Sequence, residues 1–185
     1  MGDSPGVVNR YPLALRLLHW IRAALILGLL GLGLIMVSLP DAAPAKFATL
    51  YPLHKEFGVL LFCVAVTPML VRSRSVLPGL PKGLSRWEAV LSKTVHRAMI
   101  ALIVIVPLMG YSMSSSFTQS DGVPFFGVEL PELLPKNDDA FAVFQALHKY
   151  LAYTLIVLIA LHVAGAVKHR LFDRGGDTDV LQRML

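Results

Sequence analysis

The stretch HKYLAYTLIVLIALHVAGAVK, His148 to Lys168, decides the fold. Between Lys149 and Lys168 it carries no charged residue, and as a helix it is long enough to cross a hydrocarbon core roughly 30 Å thick. It nevertheless holds His162 in its interior, fourteen residues after His148. That spacing is close to four helical turns, so the two imidazoles fall within about 40° of one line and stand about 21 Å apart along the axis. One helix face thus presents two histidines at two membrane depths. Ionisable side chains inside a bilayer are expensive and mark functional positions.

Composition agrees with a membrane setting. The 185 residues are 55% hydrophobic and 16% charged, with a mean hydropathy of +0.64, too apolar for an ordinary soluble domain. The length suits one domain over residues 1–185 with four spanning helices, expected at about 16–39, 53–71, 85–113 and 146–169. Cys63 is the sole cysteine, which excludes a disulfide framework and a thiolate metal cluster.

Outward from the last helix, the other runs fall into place. From Arg16 to Leu39 the chain is apolar except for His19, Arg22 and Ser38. A signal peptide is the rival reading, but this stretch exceeds an h-region of about 7–15 residues, and a His-Trp pair has no place at its start. Pro40, Pro44 and Pro52 predict a loop before helix two, which opens with His54. Ser85 and Glu88 form a capping-box pattern that starts helix three, with His96 near its entry into the membrane and Pro107 further on. The third connection, 114–145, is the longest, and its end from Asp138 reads as a capped lead-in to helix four.

Basic residues set the orientation. Thirteen of the 17, among them Arg16, Arg72, Arg86 and Arg170, lie on the side of the two termini and the second loop. Only Lys46, Lys55, Lys136 and Lys149 lie on the other, against seven acidic residues. By the positive-inside rule both termini are cytoplasmic, and the net charge of +5 is a topology signal with no nucleic-acid partner behind it.

This topology sorts the histidines. His19 and His162 lie towards the inner side, His54 and His148 towards the outer side. Any one of them alone has a plainer role, a packed residue bonded to a backbone carbonyl. Four that agree in depth two by two are harder to obtain that way. Zinc wants four ligands close together, whereas a bis-histidine haem needs one imidazole from each side. Gly28, Gly31, Gly33 and Gly58 would leave room for a flat macrocycle, although close helix packing alone also explains them.

The ordered set Leu18-His19-Trp20, Leu53-His54, Val95-His96 followed by Pro107-Leu108-Met109-Gly110, and His148 with His162 and His169 resembles the bacterial cytochrome b561 family. Within it the likeness is nearest to the small stand-alone superoxide oxidase-like members, relatives of the cytochrome b subunits of hydrogenases and formate dehydrogenases. It runs from about Tyr11 to Leu185. The resemblance implies an all-α, four-helix, multi-pass protein of the bacterial inner membrane with two haem b groups. His19 and His162 would be the axial ligands of the inner haem iron, and His54 and His148 those of the outer. It further implies a ubiquinone site on the cytoplasmic side, with Lys82 and His169 in the places of the family's loop lysine and helix-four histidine. The activity implied is a superoxide:quinone oxidoreductase. The alternative is a cytochrome b partner or subunit exchanging electrons between the quinone pool and a periplasmic redox protein. One departure concerns the outer face: superoxide-oxidising relatives carry more basic residues there, and a cationic funnel concentrates an anion, whereas this face is net acidic.

Overall fold

The computed structural model describes residues 10–73, 83–173 and 178–185. Four helices dominate it: α1 Leu13–Ser38, α2 Tyr51–Ser73, α3 Arg86–Ser116 and α4 Asp138–Phe172. Each is long and apolar enough to cross a membrane, and large apolar side chains such as Leu27, Ile100 and Val157 face outward. The molecule is a multi-pass membrane protein whose outer surface is solvated by lipid.

Helix ends follow local chemistry. Pro12 starts α1, its carbonyl accepting from the Leu15 and Arg16 amides, three residues before the expected start. Ahead of α2 the chain is already coiled: Lys46–Leu50 form a π-helical turn in which the Tyr51 amide donates to Lys46. Pro52 has no N–H with which to continue that register, and the α-helix takes over. The first loop is therefore shorter than its prolines predict. At the start of α3 the Ser85 amide donates to Glu88 Oε2 at 3.0 Å, as the capping box requires. The residues before 146 that read as a lead-in are the first two turns of α4. Asn137 caps them by accepting from the Ala140 amide at 2.9 Å, with Asp138 and Asp139 in the first turn.

The 114–137 connection holds an element absent from the sequence reading, an antiparallel hairpin of β1 (Val123–Phe125) and β2 (Val128–Leu130). Its two-residue turn, Phe126-Gly127, has φ values of 46° and 86°, the left-handed geometry that matches strand twist. Phe126 tolerates this strained conformation while its ring packs edge-on to Phe57 of α2 at 5.6 Å. Lys55 of α2 binds Asp121 and donates to the Gly122 carbonyl, and Ser115 accepts from the Leu134 amide at 2.9 Å. Val123, only 2% exposed, is the apolar anchor of this cap.

Between helices, α1 packs on α2, α2 on α3 and α3 on α4, whereas α4 scarcely approaches α1 or α2 among the described residues. The buried cluster is Ile26, Leu61, Ala65, Leu102, Ile103, Val106 and Leu155. Ile26, Leu61 and Leu155 each lie seven residues, two turns, from the nearest histidine of their own helix. The packed layer therefore sits midway between the two histidine levels.

Candidate functional site

At one end of the bundle His54, in the first turn of α2, faces His148 of α4 with ring centroids 6.0 Å apart and planes at 83°. His148 Nδ1 stands 2.9 Å from the Val106 carbonyl of α3. A carbonyl only accepts, so Nδ1 carries the proton and the Nε2 lone pair is left for another ligand. A Cβ added at Gly110 would stand 3.0 Å from His148 Cε1 and 3.1 Å from Nδ1, so the imidazole lies where any side chain at 110 would be. Both rings line a cavity of about 760 Å³ together with Gly33, Gly58 and Gly110. Its size falls in the range of cofactor pockets. His54 Nδ1 is buried with no hydrogen-bond partner among the described residues.

Two turns beyond the packed layer lies a second group. His19 of α1 faces His162 of α4 with centroids 6.4 Å apart and planes at 62°. His96 of α3 is closer still, 4.8 Å from His162 and almost perpendicular to it. The His96 Nδ1–H donates to the Ser92 carbonyl of its own helix at 2.7 Å. Trp20, stacked edge-on against His19, donates from Nε1 to the Met184 carbonyl at 2.8 Å, tying the C-terminal segment to this level.

These distances discriminate. Two imidazoles on opposite sides of one metal, with nitrogen–metal bonds of about 2.0 Å and each ring centroid about 1.1 Å behind its nitrogen, have centroids roughly 6.2 Å apart. The 6.0 Å and 6.4 Å pairs match that figure; the 4.8 Å pair is too close for a metal held on opposite sides by the two rings. Each matching pair also spans the gap between α4 and the α1–α2 layer. No group of three or more histidine, cysteine or acidic side chains placed to hold a bare metal ion occurs among the described residues. The residues fit a flat group held by one imidazole on either side. Gly28, Gly31 and Gly58 have nothing within 4 Å of an added Cβ, so close helix packing does not explain them.

His169 lies at the end of α4 beside a polar cavity of about 380 Å³ lined by Gly83, Glu88, Lys168, Phe172, Asp173 and Thr178. Its Nδ1–H donates to Asp173 at 2.8 Å, and this bond, with one from Thr178, holds the Asp173 carboxyl below its ordinary range. Lys168 closes the same end with an ion pair to Glu88 at 2.6 Å. Lys82 lies outside the described residues. At the hairpin end three of the four expected outer lysines are engaged in ion pairs: Lys46 with Asp41, Lys55 with Asp121 and Lys136 with Glu132.

His96 was not expected at the site. Its signal is register: in an antiparallel helix pair facing residues have a nearly constant sum of numbers, and the Glu88–Lys168 and Val106–His148 contacts bring His96 level with His162.

A four-helix membrane bundle with facing imidazoles at two levels has the architecture of a b-type membrane cytochrome. Comparison with known proteins is specific: the model of the prokaryotic cytochrome b561 family matches residues 10–185. The chain is also 31% identical over 180 residues to cytochrome b561 homolog 2 of Escherichia coli (strain K12), covering 96% of this chain and 92% of that protein. The chain belongs to the prokaryotic cytochrome b561 family, whose members are membrane haem b proteins of electron transfer.

Proposed function

We propose that the protein holds two haem b groups, one between His19 and His162 and one between His54 and His148. Through them it carries single electrons between a donor at the hairpin end and a quinone at the His169 end. The observation that supports this most is the pair of matching ring separations, 6.4 Å and 6.0 Å, on one uninterrupted helix. Haem b at each level supplies a one-electron carrier. The chain's own part is to fix the imidazoles, exclude water with the layer around Leu155, and manage protons. His148 is held by Val106, and His169 by Asp173, which leaves His169 Nε2 to exchange a proton with a quinone oxygen. Lys82, by its place in the sequence, adds positive charge to that end.

With superoxide as donor the balance is two superoxide ions oxidised to two dioxygen molecules while one quinone takes two electrons and two protons to become quinol. The basic excess at the His169 end supports a cytoplasmic placement of that end, and the family supports a bacterial inner membrane. A second reading, electron exchange with a periplasmic redox protein, is favoured by the engaged outer lysines, which leave Glu56, Glu129, Asp138 and Asp139 against Lys149. A positive protein surface suits such a face better than an anion does.

Stopped-flow mixing of the oxidised holoprotein with superoxide, with and without ubiquinone, tests the reading. Haem reduction by superoxide and its reoxidation by quinone are expected, with the second step slowed about tenfold or more in His169→Ala and in Lys82→Ala at unchanged haem content. Reduction by a basic redox protein but not by superoxide selects the second reading; an unchanged quinone step in both variants removes these residues from the site.

A further inference from the structure

The two histidines of α4 are supported differently. His148 gives its Nδ1–H to the Val106 carbonyl, whereas His162 makes no hydrogen bond among the described residues. A histidine that binds a metal through one nitrogen almost always donates its other N–H to an acceptor, which fixes the ring and raises its basicity. The group nearest to His162 is another imidazole, His96, 4.8 Å away edge to face. Direct bonding of His96 Nδ1 to the Ser92 carbonyl means that this nitrogen carries the proton. In the neutral ring the remaining nitrogen, Nε2, is then a lone-pair acceptor.

We infer that, when His162 ligates the inner haem through Nε2, His96 accepts the hydrogen bond of its Nδ1–H across the present 4.8 Å ring contact, so that the Ser92 carbonyl, His96 and His162 form a chain that positions the inner ligand and tunes it. A centroid separation of 4.8 Å suits it: an N–H to N bond of about 2.9 Å between rings, each with its nitrogen about 1.1 Å from the centroid, spans at most roughly 5.1 Å. The same closeness rules His96 out as an axial partner of His162, since no iron fits between them. His96 is thus a positioning residue. The inference rests on the proposed ligation of the inner haem by His162.

Its consequence is electronic. An acceptor on Nδ1–H increases electron donation from imidazole to iron, stabilises the oxidised haem and lowers its reduction potential. Potentiometric titration of the haem absorption in His96→Leu and His96→Gln, beside the wild-type holoprotein, tests this. Two haems are expected in all three. In His96→Leu only the inner haem should move to a more positive potential, and in His96→Gln, whose amide oxygen accepts, it should return towards the wild-type value. Loss of one haem from His96→Leu with the protein folded would make His96 a ligand and overturn the inference, as would equal potentials in all three proteins. A glutamine variant that behaves like the leucine variant also overturns it. Fewer than two haems in the wild type is a different failure, that of the two-haem reading itself.

Discussion

A single hydrogen in the place of a side chain decides whether His148 can stand where it does. At Gly110 an added Cβ would lie 3.0 Å from the imidazole, tighter than ordinary contact, and the ring is already fixed by Val106, so it cannot give way without losing its hydrogen bond. Across the same cavity the Gly33 Cβ would meet His54 Cε1 at 3.5 Å, an ordinary van der Waals distance. The two glycines therefore predict opposite outcomes. Gly110→Ala should lower the haem content of the purified protein from about two per chain towards one, while Gly33→Ala keeps both, as a pyridine haemochromogen assay would read. At this scale the sequence was informative about depth and silent about direction. His19, His54, His148 and His162 could be paired because a hydropathy pattern and a charge asymmetry give each a height in the membrane. Height does not say which ring faces which, so the role of His96, level with His162 but on another helix, needed the register of α3 against α4.

Helices were legible where apolar length alone defines them and less so at their ends. In the early turns of α4, Asp138 to Gln145, the apolar residues Ala140 to Phe144 are cut off from the long run by Gln145, His148 and Lys149, yet Asn137 caps them and the Thr118 hydroxyl binds Asp138. The hairpin escaped notice because its strands are three residues each and its turn puts a phenylalanine where glycine or asparagine is usual. What sits between the histidine levels is simpler. Leu155 is 3% exposed and packs into the cluster that joins all four helices midway along them. Leu155→Ala should therefore destabilise the bundle by about 2–5 kcal/mol, the usual cost of emptying a packed leucine site. Both haems should nevertheless remain at normal temperature, because Leu155 lies seven residues, two turns, from both His148 and His162 and holds neither imidazole by a hydrogen bond. A thermal melt in detergent followed at the haem band checks both halves: lower melting temperature, unchanged starting absorbance.

On the scale of the whole molecule, the arrangement is a conductor built from one continuous element and three shorter supports. α4 carries an imidazole at each level, α1 and α2 bring one counterpart each, and α3 supplies Val106 and Gly110 at one level and His96 at the other. This division explains why α4 packs on α3 yet stands off from α1 and α2. On the proposed function each level is an independent haem site with its own histidine pair. The most direct test of this is a potentiometric titration of haem absorption in the wild-type protein beside His19→Ala and His54→Ala. Two low-spin haems are expected to titrate in the wild type and one in each variant, the component lost from His19→Ala being the one that His54→Ala retains. Folded variants that each lose both haems, or that each keep both, would contradict the proposal.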